Sequence, residues 1–469
     1  MGSEKECVVM NDLTQGKPFS VIWRFSLPLL LSMALQQLYN LADSIIVGRF
    51  TGEAGLAAIG AAYPITLIYI AIATGVSMGC SVVIAQLFGA KRRRDLKTAI
   101  STVIVSLLVL GVLLGGAGIL LSKPILRLLH TQDAVLSTAS AYLAIYAFGI
   151  IGNFVYNTAA AIFTGLGDSK RPLYFLMISA GLNVVLDLIA VGPLHMGVAG
   201  AAWATAISQY VSAVVSVAVL ARVTRTQLDL PQDAPRFSRS LLWEMCRFSV
   251  PAIIQQCCVA FSHTVLQRLV NTYGVTFMAG YEAASKIHNF VYMCFNTIGT
   301  ALSSFAAQNY AANKPQRVNE GCKASTGIIL IFTAVALLIL QLFPAQLISM
   351  FVNVEENPGV VDVGRLYLRI ISPDYLLICF IIVGGGLLRG VGRVKDFLLV
   401  TILDFAIRIG CSYGFSLALL PSLSFYPLPS YTGMFWAWYF GSAVDLTVLL
   451  VLYYKMNHGG ILDHSHLST

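Results

Sequence analysis

The sequence predicts an all-α polytopic membrane protein, with twelve transmembrane helices in two six-helix bundles related by a pseudo-twofold axis along the membrane normal. Three observations predict it. Of 469 residues, 11% are charged and 57% hydrophobic, and mean hydropathy is +0.76. A soluble chain carries about 25% charged residues. The apolar residues also fall in continuous runs near the length that crosses a bilayer as a helix, about 20 residues. Finally, short motifs of the first half recur in order in the second. The composition excludes a cytosolic enzyme, a disordered chain and a secreted disulfide scaffold. Continuous runs also exclude a membrane β-barrel, whose strands alternate strictly.

Runs bounded by charge, Pro and Gly predict spans at 20–47, 56–82, 98–121, 138–163, 172–192, 197–220, 248–270, 278–305, 325–347, 366–388, 396–420 and 431–454. Residues 1–19 are read as a cytoplasmic amino-terminal segment and 20–221 as an N-lobe of spans 1–6. Residues 222–247 form a cytoplasmic linker with Pro231, Pro235 and several arginines. A C-lobe of spans 7–12 occupies 248–454, and 455–469 is a cytoplasmic tail. The start of the chain is polar and mixed in charge, so no cleaved signal peptide is expected and the first span directs insertion.

Twelve spans place 22 of the 30 Lys and Arg on the side of the amino terminus, 5 on the other side and 3 within spans. The positive-inside rule then puts both termini in the cytoplasm. The formal net charge of +8 is read as basic loops against an anionic inner leaflet, not as a nucleic-acid surface. The nine cysteines are an odd number, lie mostly in apolar runs and contain no CxxC pair. They form neither a disulfide framework nor a metal site on this reading.

The halves repeat. Arg24-Phe-Ser-Leu-Pro28 recurs as Arg247-Phe-Ser-Val-Pro251, an offset of 223. Gln86-Leu-Phe-Gly-Ala90 faces Gln308-Asn-Tyr-Ala-Ala312 at 222. Tyr142-Leu-Ala-Ile matches Tyr367-Leu-Arg-Ile, and Gly165-Leu-Gly167 matches Gly390-Val-Gly392, both at 225. Gly200-Ala-Ala-Trp203 matches Gly433-Met-Phe-Trp436 at 233. Six spans per repeat make the repeats parallel. Two such bundles around a central cleft are the layout of an alternating-access transporter.

Ionisable residues within spans are costly and mark function by default. The acids are Asp43, Asp187, Glu282, Asp374, Asp404 and Asp445, and the bases are Arg268, Lys286 and Arg408. Asp404 and Arg408 are spaced i, i+4 and are read as a structural pair, as are Glu282 and Lys286. Asp43 and Asp187 have no in-span base in their half. Such carboxylates become neutral only by binding protons or a metal cation. Asp187 lies about 15 residues from the inner end of its span, roughly 22 Å along the helix, and Asp43 and Thr205 also fall in the outer half. Asn183 and Asp187 share a helix face at i, i+4, as do Ala201 and Thr205, while Asn40 and Asp43 are i, i+3. Gly197 and Gly200 allow close backbone approach there. Carboxylate, amide, hydroxyl and carbonyl oxygens together suit a hard cation. A lone membrane Asn or Thr would instead serve an interhelical hydrogen bond.

Leu38-Tyr-Asn-Leu-Ala-Asp43, Gln86 before a basic loop, Gly165-Leu-Gly-Asp168, Asn183-x-x-x-Asp187 and Gly200-Ala-Ala-Trp-Ala-Thr205 together resemble the multidrug and toxic compound extrusion (MATE) family, in its prokaryotic DinF-like and MepA-like branch. The resemblance runs from about residue 12 to 455. It implies a secondary active antiporter of a prokaryotic inner membrane, exporting amphipathic organic cations in exchange for H⁺ or Na⁺. Partners implied are those small molecules and membrane lipid, with the chain as a monomer and no cofactor beyond the coupling ion. By the resemblance Asp43, Asn183, Asp187, Ala201 (through its carbonyl) and Thr205 match the amino-lobe cation site. Asp43, Asn183, Asp187 and Thr205 serve as metal ligands if the ion is Na⁺. Gln36, Tyr39 and Asn157 match polar positions of the substrate cavity, with Asn40 beside them, and Pro28 matches a first-helix hinge proline. NorM-like members carry an acid in the tenth span where this chain has Ile378. Asp374 lies one turn earlier, where it is expected to face the cleft and attract cationic substrate.

Other motifs carry less. Gly165-Leu-Gly-Asp168 fits the pattern of intramembrane aspartyl proteases, but a basic loop follows it. Gly384-Gly-Gly386 lacks a P-loop Lys-Ser/Thr and is read as close helix packing. His458, His464 and His466 are too sparse for a metal site. With no ATP-binding motif, an ion gradient is the expected energy source. A lipid-linked oligosaccharide flippase is the competing reading, and would use cleft cations such as Arg268, Lys286 or Arg408.

Overall fold

A computed structural model of the chain describes residues 12–228, 230–231, 233–351, 358–422 and 428–458, with the backbone alone at 52–54, 56, 457 and 458. Most of the amino-terminal segment and of the tail, with Cys7, His464 and His466, lies outside these residues. Twelve helices are long and apolar enough to cross a membrane. They are α1 (Pro18–Thr51), α2 (Ala57–Gly89), α3 (Arg93–Leu128), α4 (Asp133–Gly165), α5 (Lys170–Val191), α6 (Gly197–Thr226), α7 (Arg239–Asn271), α8 (Val275–Ala311), α9 (Pro315–Leu342), α10 (Pro358–Gly390), α11 (Val394–Ser422) and α12 (Ser430–Met456). Each matches one predicted span. Most are longer than the apolar run, because helical hydrogen bonding continues past the hydrocarbon into polar residues such as Arg93 and Lys170. Large apolar side chains remain exposed on the helices, including Leu113, Leu120 and Val214, as a lipid-facing surface requires.

The chain divides into two compact units, one built on Arg24–Ile253 and the other running from Ile254 onward together with Gly16–Trp23. In the first unit α3 packs on α4, and α6 lies against both α4 and α5. In the second, α8 holds α9 and α10, and α11 packs on α12. Between α1 and α2 the backbone stays helical. Tyr39 and Tyr69 both lie beside Tyr146, so the chain doubles back within that stretch.

The repeat is visible in how helices end. At Gly167 (φ 82°) and Gly392 (φ 85°) the backbone enters the left-handed region, which glycine adopts without a Cβ clash. The N–H of Gly167 bonds to the Thr164 carbonyl and that of Asp168 to Phe163; Gly392 bonds likewise to Arg389 and Arg393 to Leu388. The same device closes α2 at Lys91 (φ 56°) and α8 at Asn313 (φ 59°).

Two elements differ from the sequence expectation. The ninth span ends at Leu342, and Pro344–Ser349 forms a separate short helix. The tenth contains a 3₁₀ turn at Ser372–Asp374. Pro373 has no N–H to give the carbonyls one turn earlier. Gln341 Nε2 donates to the Arg369 carbonyl at 2.9 Å, and the Tyr439 hydroxyl to Ile370 at 2.6 Å. Side chains of α9 and α12 thus replace the bonds that the break removes, as the bilayer interior demands.

Candidate functional site

The acids without a base come together inside the first unit. Tyr39 and Asp43 lie one turn apart on α1, Asn183 and Asp187 one turn apart on α5, and Thr205 faces them from α6. Asp43 and Asp187 meet carboxyl to carboxyl, within hydrogen-bonding reach. Asp187 and Asn183 are buried. The Asn183 amide suits its surroundings when Nδ2 donates to Asp187 Oδ2 at 2.7 Å. Its Oδ1 then accepts the Thr205 backbone N–H at 3.1 Å and the Thr205 hydroxyl at 3.3 Å; this orientation is assigned from the hydrogen-bond network. The Tyr39 side chain also bonds to Thr205. Ala201 packs with Val47 and Val191. Gly200 permits this closeness, since an added Cβ would lie 3.2 Å from the Ala190 backbone. Gly197 has open space instead and serves through its φ of 56°.

Two ionised carboxylates about 4 Å apart repel by roughly 4 kcal/mol at an effective dielectric of 20. A proton or cation between them removes that repulsion. Asp187 Oδ1 is buried without a hydrogen-bond donor among the described residues, which leaves an acceptor for it.

Aromatic residues adjoin the acids. Tyr142 and Tyr146, i, i+4 on α4, stack at 6.1 Å, and Tyr146 stacks on Tyr69 at 6.5 Å. Tyr142 lies in the field of Asp43 and Asp187. Sequence reasoning used Tyr142 only as a repeat marker and missed Tyr146; their one-turn spacing was the available signal. Asn157 Nδ2 donates to the Asn153 carbonyl at 2.9 Å and to its side chain at 3.0 Å. Gln36 and Asn40 are exposed on α1, and Asn40 donates to Gln37 at 3.3 Å. Pro28 lies inside α1, where the helix continues past it.

The second unit is built differently. Arg408 Nη2 donates to Asp404 Oδ1 at 2.6 Å, so that expected pair forms. Its guanidinium carbon also lies 3.8 Å above the Trp438 ring. With Arg408 so engaged and Arg268 and Lys286 exposed, little here favours a pyrophosphate-binding flippase. Glu282 and Lys286 form no ion pair; Lys286 sits over Phe351 at 5.8 Å. Both are exposed near a helix end, where such pairs contribute little. Asp374, expected to face the cleft, is instead a buried side chain at the α10 break. The Ser442 hydroxyl donates to its Oδ2 at 2.8 Å.

Comparison with known proteins agrees with this architecture. The MatE family profile matches residues 28–189 and again 251–413. The chain belongs to the MatE family. The two MatE matches begin at Pro28 and Pro251, the prolines of the repeated Arg-Phe-Ser-x-Pro motif. The chain is 30% identical over 356 residues to the probable multidrug resistance protein YoeA of Bacillus subtilis, covering 74% of this chain and 77% of that protein. It is 28% identical over 394 residues to the probable multidrug resistance protein YpnP of the same organism, covering 84% and 87%. Among solved structures, an outward-facing multidrug resistance MATE family transporter of the MOP superfamily superposes with a TM-score of 0.84 at 24% identity, covering 97% and 99%. This MatE chain is therefore a multi-pass transporter of a multidrug efflux family, and not an enzyme.

Proposed function

We propose that this MatE chain is a proton-driven antiporter that exports amphipathic organic cations by alternating access. The observation that carries the reading is the Asp43–Asp187 contact, with no base beside it among the described residues. A proton shared by the two acids makes the contact favourable and lets α1, α5 and α6 close together. The Asn183 orientation assigned from its hydrogen bonds, with Nδ2 toward Asp187, suits acids that share a proton. The opposite orientation would complete an oxygen set for Na⁺ from Asp43, Asn183, Asp187 and Thr205, so the imposed-gradient test below decides between the two ions. When the acids lose the proton they gain negative charge beside Tyr39, Tyr142 and Tyr146, whose ring faces attract organic cations. Gln36, Asn40 and Asn157 extend the same polar surface. Pro28, which has no N–H to lose, is the point where α1 bends during closure. The same reading takes both termini as cytoplasmic, supported by the basic loops through the positive-inside rule, and the protein as a monomer of a prokaryotic inner membrane.

Proton and substrate then exclude one another. Acid on the outside weakens drug binding, and by linkage drug weakens proton binding by the same factor. The test is drug export from proteoliposomes under an imposed pH gradient or an imposed Na⁺ gradient. Wild type should respond to the pH gradient, and Asp187→Asn should lose driven export while remaining folded. Export by Asp187→Asn, or export driven by Na⁺ at equal pH on both faces, would contradict the reading.

A further inference from the structure

The second unit carries its own imbalance of buried charge, centred on α12. Trp438, Ser442 and Asp445 recur along α12 at helical spacing and so share one face. Trp438 meets Arg408, Ser442 holds Asp374, and Asp445 has Asp404, Arg408 and Asp374 as its charged neighbours. Gly441 lets α11 come close, for a Cβ there would fall 2.5 Å from Asp404 Oδ1. The other titratable groups facing these side chains are Tyr281, His288 and Tyr292 of α8, Tyr367 and Tyr375 of α10, Tyr439 of α12 and His263 of α7. Arg389 of α10 lies beside Tyr292, but its guanidinium sits over Phe397 and is not among the charged neighbours of Asp445. Three acids therefore share one base.

The hydrogen bonds show how that base is spent. Arg408 gives both Nε and Nη2 to Asp404. Asp374 has Ser442 on one oxygen, while its Oδ1 is buried with no donor among the described residues. Asp445 is 6% exposed, and its Oδ1 is buried without a donor among the described residues. An ionised Asp445 would have to share with Asp404 and Asp374 the one guanidinium that Asp404 already holds, which is a costly arrangement in a membrane interior.

We propose that Asp445 is a proton-binding site of the second unit, separate from the Asp43–Asp187 pair. The ligand is a proton and not a metal cation, because the Arg408 guanidinium on the same face repels a second fixed positive charge but tolerates a neutral acid. Arg408 neutralises Asp404, and the proton neutralises Asp445. Loss of that proton would leave two acids competing for Arg408, so the protonation state of Asp445 sets how firmly α11 and α12 are held together. Sequence spacing does not reveal this site, because Asp445 and its base lie on different helices.

The test is infrared spectroscopy of the purified full chain at neutral pH, in H₂O and D₂O, reading the stretch of protonated carboxyl groups. Asp43→Asn with Asp187→Asn removes the acids of the first unit. A protonated-carboxyl band should remain in that double variant, disappear when Asp445→Asn is added, and persist when Asp374→Asn is added instead. Absence of the band from the double variant overturns the proposal while leaving the reading of the first unit standing. Persistence after Asp445→Asn, or loss with Asp374→Asn, also overturns it. If the Asp445→Asn combination does not fold, Asp445→Glu in the double variant should move the band to a new frequency, and an unmoved band refutes the site.

Discussion

The interiors of the two units can be compared position by position, because the repeat offsets put Asn183 opposite Arg408 (225) and Thr205 opposite Trp438 (233). In the first unit an amide on α5 bonds a hydroxyl on α6. In the second a guanidinium on α11 stacks on an indole on α12. The helix pair and the register are shared, and the polarity is not. Asp187 corresponds to Ser412 and Asp43 to Leu266, so the acid pair of the first unit has no copy in the second. Duplication has kept the features that shape the backbone, such as the left-handed caps at Gly167 and Gly392, and released the residues that hold charge. The first unit keeps two acids in contact with nothing to balance them, whereas the second invests its base in one acid.

The sharpest break between the two should be in stability. Asp404→Asn removes the hydrogen-bonded partner of the half-buried Arg408 and leaves it Asp445 as the nearest acid, which should cost about 1.5–3 kcal/mol. Asp43→Asn removes one of two like-charged neighbours and should leave stability unchanged or raised. Denaturant unfolding of both variants in detergent at neutral pH measures the contrast. Equal losses would mean that the Asp43–Asp187 contact is a structural bond like the other.

A smaller contrast lies in helix spacing. Gly386 on α10 abuts Gly299 of α8, and an added Cβ would meet the Gly299 carbonyl oxygen at 2.6 Å. The first unit has Ala161 at the corresponding position on α4, where a methyl group fits. Gly386→Ala should therefore destabilise by about 1–3 kcal/mol through overpacking. Ala161→Gly should cost the helix-propensity difference plus the loss of one buried methyl, together about 1–2 kcal/mol and without steric strain. A Gly386→Ala protein as stable as wild type would show that α8 and α10 can separate freely.

What the sequence made legible follows the range of the interactions. Span positions are written locally, as apolar runs between charges, and all twelve are found. The first-unit cluster was legible because its donors sit one turn apart on single helices and no base falls within a span of that half. Asp404–Arg408 was legible by the same one-turn rule. Asp445 was visible only as an in-span acid, since its relation to Arg408 depends on how α11 and α12 pack. The burial of Asp374 was hidden for a similar reason. Pro373 breaks α10 there, and the bonds that make the break tolerable come from Gln341 and Tyr439 on other helices. Glu282 and Lys286 show the converse, in which correct spacing at an exposed helix end yields no pair.

The finest contrast is a pair of helix-start ion pairs that the repeat has reversed. Asp168 binds Arg171 in the first unit, and at an offset of 225 Arg393 binds Asp396 in the second. The pairs look interchangeable, but Asp168 has a further task. Its Oδ1 accepts the backbone N–H groups of Lys170 at 3.0 Å and Arg171 at 3.2 Å, which caps the start of α5. Arg393 occupies the corresponding place before α11 and makes no side-chain cap. Swapping the first pair, Asp168→Arg with Arg171→Asp, keeps an ion pair and loses the cap, at a cost of about 1 kcal/mol. Swapping the second, Arg393→Asp with Asp396→Arg, moves the acid into a capping position but takes it out of the first turn of α11, where the helix dipole favours it. These terms are each below about 1 kcal/mol and opposed, so that double variant should unfold with wild type. Thermal unfolding of the two double variants in one detergent measures the difference. Equal losses would assign the effect to the ion pairs alone, and the apparent symmetry of the loops would then be complete.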